Sequence, residues 1–334
     1  MYIANSYYLA VVFCFITMIC WGSWANSSKC TTSKWQFPLY YWDYSFGLIL
    51  TALIYGLTMG SFGNEGRGLI ADLAQADIRS IGFALLGGAI FNLSNLLVIA
   101  AISIAGLSVA FPIAVGLALV LGVLINYLKV QTGNPVLLFI GIALVVLAMI
   151  LNTIASRKAS ASKGNTSVKG IVVSIIGGVI MSFFYRFVAE GMTINFTAPE
   201  SGKLTPYSAV LIFSLGVFLS NFIWNTFFMY KPITGTPVTY KQYFTNGTTR
   251  QHIIGILGGI IFNTGFLFNL IASDKAGPAI SYGLGQGSTM IGAAWGVFVF
   301  KEFAGVPKSV NKYLTYMFVS FIIGLSIIVL SRLN

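Results

Sequence analysis

Ten stretches of about twenty mostly apolar residues follow one another along the chain. Each is long enough to cross the hydrocarbon core of a bilayer as a helix. They lie at approximately 4–25, 39–60, 79–102, 106–128, 135–156, 169–191, 205–229, 252–273, 277–300 and 313–331. Together they occupy most of the 334 residues, which leaves no room for a separate soluble domain. Composition agrees: 8% of residues are charged, 57% are hydrophobic, and mean hydropathy is +0.85. A soluble domain carries roughly 25% charged residues, because water must wet its surface. A soluble enzyme, a disordered chain and a nucleic-acid binder are excluded on that ground. The net charge of +11 is loop charge, since no basic run is dense enough to follow a phosphate backbone. The lipid bilayer is the partner implied, and the expected fold is an all-α membrane protein of ten transmembrane helices. Cys14, Cys20 and Cys30 form no Cys-x-x-Cys pair and read as free thiols.

The first stretch has no Lys or Arg from Met1 to Cys20 and no small-x-small cleavage site before Trp24, so it reads as a retained first helix. The loops set an orientation. Lys29, Lys34, Arg157, Lys158, Lys163, Lys169, Lys231, Lys241, Arg250, Lys301, Lys308 and Lys312 fall on one side. Arg67, Arg79, Lys129, Lys203, Lys275 and Arg332 fall on the other. The positive-inside bias puts the richer side in the cytoplasm and both termini outside, in a plasma (bacterial inner) membrane.

An internal repeat carries more information. Leu86-Gly87-Gly88-Ala89-Ile90-Phe91-Asn92 returns as Leu257-Gly258-Gly259-Ile260-Ile261-Phe262-Asn263, at an offset of 263 − 92 = 171. The same offset, without gaps, aligns Ala105-Gly106 with Ala276-Gly277, Phe111 with Tyr282 and Gly116 with Gly287. The third stretch therefore maps onto the eighth and the fourth onto the ninth. The unit is five helices, 1–160 and 161–334. Five is odd, so the copies enter the membrane in opposite senses, the plan of many secondary transporters.

Several of these residues carry a resemblance. Cys20-Trp21-Gly22-Ser23-Trp24, Asp43-Tyr44, Gly88 through Asn95 and Gly106-Leu107-Ser108-Val109 are similar to the drug/metabolite transporter superfamily and, within it, the ureide permeases. So are Met229-Tyr230-Lys231-Pro232, Ala276-Gly277 and Trp295 through Glu302; the last stretch also resembles the glucose/ribose porters. The resemblance implies two five-helix repeats and cation-coupled import of small polar metabolites. One departure stands out. Plant ureide permeases carry a long central loop with a phosphate-loop-like sequence; here it is short, Ala155 to Val168, and Gly164 through Gly170 does not fit G-x-x-x-x-G-K-[ST]. No nucleotide and no other cofactor is expected, and the plant substrates allantoin and uracil transfer less directly.

Polar groups at membrane depth are costly and mark function. Arg186 and Glu190 stand at i, i+4 and share a helix face. Asp43 follows Tyr40-Tyr41-Trp42 at the start of the second stretch. These three are the expected proton-coupling residues, with H+ (or Na+) as the driving ion. Trp21, Trp24, Trp42 and Asn26 offer flat faces and an amide for a small polar substrate. Asn92, Asn95 and Asn263 offer donors and acceptors, their alternative role being interhelical hydrogen bonds. Tyr282, Gln286 and Thr289 form a polar stripe, and Val115, the repeat mate of Gln286, is apolar, so the two sides are unlike. The lone His252 reads as an interfacial residue. No metal site, nucleophile elbow or zinc-helix motif is present, so an enzyme is not expected. The expected activity is proton-coupled, alternating-access import of a neutral ureide or nucleobase-like compound. A monosaccharide is the alternative substrate, and a drug or metabolite exporter the alternative class.

Overall fold

A computed structural model describes residues 1–28, 30–31, 35–159, 167–233 and 235–333. The expectations for Lys29, Lys34, Lys163, the loop over 161–166 and the boundary at 160/161 lie outside the described residues. The chain is an all-α membrane protein: among the described residues nine helices are long and apolar enough to cross a bilayer, and no β-strand forms.

In chain order the helices are α1 (Tyr7–Ser28), α2 (Phe37–Leu57), the short α3 (Met59–Phe62) and α4 (Leu69–Gln75), α5 (Ile78–Ala105), α6 (Leu107–Lys129) and α7 (Pro135–Ala159). Then come α8 (Val168–Gly191), α9 (Pro206–Asn221), α10 (Trp224–Tyr230), α11 (Tyr240–Asn246) and α12 (Thr249–Ala276). The chain finishes with α13 (Pro278–Gly285), α14 (Ser288–Ala294), a π-helical turn (Trp295–Val299) and α15 (Lys308–Leu330).

The ninth apolar stretch is therefore not one helix. Over Gly283-Leu284-Gly285-Gln286-Gly287 the backbone bonds tighten to the i−3 pattern, with Gly287 N–H on Leu284 O (2.9 Å) and Met290 N–H on Gly287 O (2.9 Å). Three glycines in five positions remove the side chains that would stiffen the turn, and the Asn269 amide donates to the Ser281 carbonyl beside it (2.8 Å). The seventh stretch is interrupted more gently, by Phe222–Ile223 between α9 and α10.

α5 and α12 share a design. Both are 28 residues long, and their first and last residues differ by the same 171 positions. Asp77 caps the first of them by accepting from Ser80 N–H, and Thr248 caps the second by accepting from Gln251 N–H. Both end at a glycine with positive φ, Gly106 at 80° and Gly277 at 84°, a conformation that a side chain would strain. Each packs into the opposite end of the sequence: α5 lies against α8 and α9, and α12 against α1 and α2.

Glycine faces make those contacts close. A Cβ at Gly88 would stand 2.2 Å from Phe213 O, and one at Gly259 would stand 2.0 Å from Tyr44 O. Backbone cannot withdraw as a side-chain tip can, so these sites accept only hydrogen. A turn further on, the Asn92 amide donates to Val217 O (3.1 Å) and Ser220 Oγ (2.7 Å). Its counterpart Asn263 donates to Leu48 O (2.7 Å) and Ser214 Oγ (3.2 Å). Such bonds contribute only about 0.6 kcal/mol each in a bilayer, so shape does most of the fixing.

At one end of the bundle a buried charge ties loops together. The Arg67 guanidinium donates to fully buried Asp72 (2.9 Å) and to the carbonyls of Pro199, Glu200 and Lys203. Asp72 also accepts from Thr205 N–H (2.7 Å).

Gly88→Val and Gly259→Val each destabilise the bundle by about 1–3 kcal/mol or more, since the added carbons meet backbone. Gly82→Ala, on the same helix as Gly88 with nothing within 4 Å of its Cβ, leaves the melting temperature equal or higher. Thermal unfolding in detergent, followed by the loss of monodisperse protein, separates the three.

Candidate functional site

The centre of the bundle is aromatic. Trp21 of α1 lies flat on Phe262 of α12, with ring centroids 5.6 Å apart and planes at 12°. Its indole N–H donates to Phe262 O at 3.3 Å. Trp24, one turn on, packs on Tyr44 of α2 (4.9 Å) and edge-on to Phe262 (5.9 Å). Phe91 of α5, the repeat mate of Phe262, touches it from the other side (4.9 Å). Phe262 and Phe91 were missed as site residues, although both belong to the repeated Phe-Asn pair.

Polar atoms without partners border this cluster. The Tyr44 hydroxyl and the amide oxygens of Asn92 and Asn263 are buried and unbonded among the described residues. Asn95 donates to the Tyr41 hydroxyl (3.1 Å), and Tyr41 stacks on Tyr44 (5.0 Å, 16°). Trp24 and Asn95 are thus joined through Tyr44 and Tyr41, with Trp21 beside them on Phe262, whereas the Asn92 and Asn263 amides turn to α9 and α2.

The other expected substrate residues lie around it. Tyr282 of α13 donates to Ala118 O of α6 (3.2 Å) and stands against Tyr185 (5.2 Å). The break at Gly285–Gly287 interrupts the expected stripe, leaving Tyr282 on α13 and Thr289 on α14; Thr289 donates to Gln286 O (3.1 Å). The Asn26 amide donates to Gly22 O on its own helix at 3.5 Å. Trp42 belongs to a separate group, donating to Met229 Sδ (3.3 Å) among Phe218, Phe222 and Tyr240.

The three charged residues separate into two places. Asp43 is 2% exposed, and its Oδ1 accepts from the Tyr243 hydroxyl (2.6 Å) and pairs with His252 Nδ1 (2.8 Å). Its Oδ2 has no partner among the described residues. Trp35 covers both partners, 5.9 Å from Tyr243 and edge-on to His252 at 5.2 Å. Burial, then the hydrogen bond to Asp43, push the Tyr243 phenol well above its ordinary range, so it stays a donor. His252 is therefore not simply interfacial; its pairing joins residues 209 apart in sequence, for which the sequence offers no local signal.

Arg186 and Glu190, on α8, lie beside the other end of α12, which is about 33 Å along that helix from His252 by helical rise. Their side chains pair, Lys129 approaches Glu190 at 3.8 Å, and the Lys203 ammonium donates to Glu190 O (2.7 Å). They line a cavity of about 210 Å³ between the ends of α6, α8 and α12 and the start of α13. Asp274 also lines it, with its side chain only 10% exposed and paired to Lys275. Among the described residues no three His, Cys, Asp or Glu side chains gather to hold a metal ion.

An all-α bundle of bilayer-length helices around an aromatic, partly unbonded polar centre is the architecture of a membrane transport protein. The sequence profile of the ureide permease family matches residues 40–167 and 148–331, and the chain belongs to that family, whose members are transporters rather than enzymes. It is 23% identical over 390 aligned positions to ureide permease 1 of Arabidopsis thaliana, covering 99% of each chain. It is 25% identical to ureide permease 3 of the same plant, over 80% of this chain and 86% of the relative. A Streptococcus pyogenes protein provisionally named for sugar uptake is 24% identical, over 72% of this chain and 76% of its own. A solved crystal structure has the same fold, with a TM-score of 0.59 over 97% of both chains at 15% identity.

Phe262→Ala removes the ring on which Trp21 lies and to which Trp24 and Phe91 pack. It costs about 3–5 kcal/mol and shifts tryptophan emission to longer wavelength as water reaches Trp21 and Trp24. Fluorescence and thermal unfolding on the purified variant check both effects.

Proposed function

We propose that this protein is a proton-coupled, alternating-access importer of a small neutral polar compound of the ureide or nucleobase kind. The observation that carries the coupling is Asp43, a carboxylate buried at membrane depth with one oxygen unpaired and its other bonds made to Tyr243 and His252. An intramembrane acid with a titratable partner is suited to taking up and releasing a proton. Arg186 and Glu190 form the second charged station, at the opposite end. The names of the plant relatives support the ureide class.

The substrate site we infer is the aromatic centre. A planar ureide or base would lie against Trp21 and Trp24, and its N–H groups would satisfy the unbonded oxygens of Asn92 and Asn263. Gln286, Tyr282 and Thr289 would contribute from the broken ninth stretch, and Trp42 and Asn26 from the periphery. Such a ligand makes hydrogen bonds that the empty site lacks, and leaving buried polar groups unbonded costs about 1–3 kcal/mol apiece.

Two halves, 1–160 and 161–334, would exchange conformations around that site. Support comes from the reciprocal packing of α5 and α12 and from their equal lengths and end glycines. Ten crossings are favoured by one contact: the Tyr7 hydroxyl, at the start of α1, donates to Val329 O, at the end of α15 (2.6 Å). An even number of crossings brings those ends together, and the broken α13–α14 segment supplies the tenth. The loop charges support a topology with both ends of the bundle's chain outside the cytoplasm.

A sugar is the second reading, supported by the name of the streptococcal relative and by flat indole faces that suit a pyranose ring.

In proteoliposomes with an imposed pH gradient, wild-type protein accumulates labelled uracil or allantoin, and ribose or glucose if the second reading holds. Asp43→Asn abolishes gradient-driven accumulation. Undiminished accumulation in that variant would remove Asp43 from the mechanism.

A further inference from the structure

Asp43 is reached from water through one side chain. Its carboxylate is 3% exposed, whereas the His252 side chain, bonded to it through Nδ1, is 29% exposed. His252 is the chain's single histidine, and among the described residues it is the basic group within 4 Å of this carboxylate. The other groups facing Asp43 are neutral hydroxyls. Tyr40 and Tyr44 flank it on α2, Ser27 of α1 bonds Tyr40 (2.7 Å), and Tyr243 comes from α11. Lys241 and Arg250, the basic residues of α11 and of the first turn of α12, are exposed. The backbone fits the imidazole closely: a Cβ on Gly255 would stand 2.4 Å from Asp43 Cβ, and one on Gly247 would stand 2.2 Å from His252 Nε2. α12 therefore lies on α2 with no side chain between them, and the ring is held between the carboxylate and the connection from α11 to α12.

We propose that His252 is the proton-exchange residue for Asp43, and that the proton it delivers unlatches α11 from α2. This deepens the proton-coupled reading and rests on it. With Asp43 ionised, Oδ1 accepts from both Tyr243 O–H and His252 Nδ1–H, two charge-assisted bonds that join α2, α11 and α12. A proton from water then bonds to Nε2. The Nδ1–H bond breaks, that proton joins Asp43 Oδ1, and the imidazole is left neutral with its hydrogen on Nε2. The protonated carboxyl no longer accepts two charge-assisted bonds at one oxygen, so Tyr243 and its short helix α11 are freed. Release runs the same steps backwards and restores the latch. Protonation would thus open the bundle at the end where α2 and α12 begin, the cytoplasmic end by the loop charges. His252 is a proton-transfer group by this argument, and Tyr243 a positioning residue.

The single histidine makes the test direct. In protein labelled with 15N at histidine, one set of imidazole resonances titrates. The Nδ1–H tautomer is expected while Asp43 is ionised and the Nε2–H tautomer once Asp43 carries the proton, and Asp43→Asn should abolish that switch. The same switch between tautomers in both proteins overturns the exchange. Transport gives the second arm, read as the ratio of gradient-driven uracil accumulation to counterflow at equal pH. His252→Asn keeps a donor near the Nδ1 position but cannot titrate, and should lower this ratio about tenfold or more. An unchanged ratio overturns the proposal even if the resonances shift. If the wild type itself shows no gradient-driven accumulation, the proton-coupled reading fails, while the resonances still decide whether the two residues exchange a proton.

Discussion

The bundle depends on places where helix backbones touch with no side chain between them, and those on α5 and α12 are two of them. Gly88 of α5 lies on Phe213 O and Gly216 of α9, and Gly259 of α12 lies on Tyr44 O and Gly47 of α2. A bilayer supplies no hydrophobic drive between helices, because lipid tails are as apolar as leucine. Close van der Waals contact must do that work, and only small residues permit it. Both contacts join an early part of the sequence to a late part. α5 and α12 therefore help to hold the first half of the chain to the second, as do α6 against α8 and α7 against α15.

That packing also determines which polar atoms face the centre. Once Gly88 and Gly259 are seated, Asn92 and Asn263 come one turn later, and each spends its amide N–H2 on the neighbouring helix. Their oxygens are left buried and without a partner among the described residues. A structural hydrogen bond and an open acceptor thus coexist in a single side chain. The sequence posed these as alternatives, interhelical glue or ligand contact. The geometry makes the choice unnecessary, because an amide has two ends and the packing uses only one of them.

Much of this was legible in the sequence. The apolar stretches gave the membrane helices because burial in lipid requires about twenty apolar residues and no internal pattern. The 171-residue offset gave the matching of α5 with α12, down to their end glycines, because turns with positive φ restrict the residue type. Two things were not legible. The break in the ninth stretch depends on Asn269 reaching Ser281 O and on three glycines whose effect is set by neighbours, and hydropathy averages over both. The pairing of Asp43 with His252 and Tyr243 joins elements about 200 residues apart. Asp43 reads from sequence as a proton-coupling acid and His252 as an interfacial residue, and only the fold puts them and Tyr243 within hydrogen-bond distance.

The matched halves differ where a transporter has most use for a difference. α6 runs unbroken through Pro112 from Leu107 to Lys129, while its counterpart divides into α13, α14 and a π-helical turn. The offset sets Val115 against Gln286 and Gly116 against Gly287. A continuous helix moves as a rod, whereas a tightened turn between two short helices lets one end shift without the other. Tyr282 on α13 is bonded to Ala118 O of α6, and the π-helical turn after α14 is tied to α1 through Trp295 and Ser23 (2.8 Å). The broken segment is thus anchored to different helices above and below the break. Under the proposed alternating access, the matched packing of α5 and α12 would let the two halves exchange arrangements, and the asymmetric ninth segment would give a bound ligand something to distinguish between them. A ligand shifts a two-state equilibrium only by contacting the two states differently, and Gln286 at the break and Thr289 after it are polar where their mates Val115 and Ala118 are apolar.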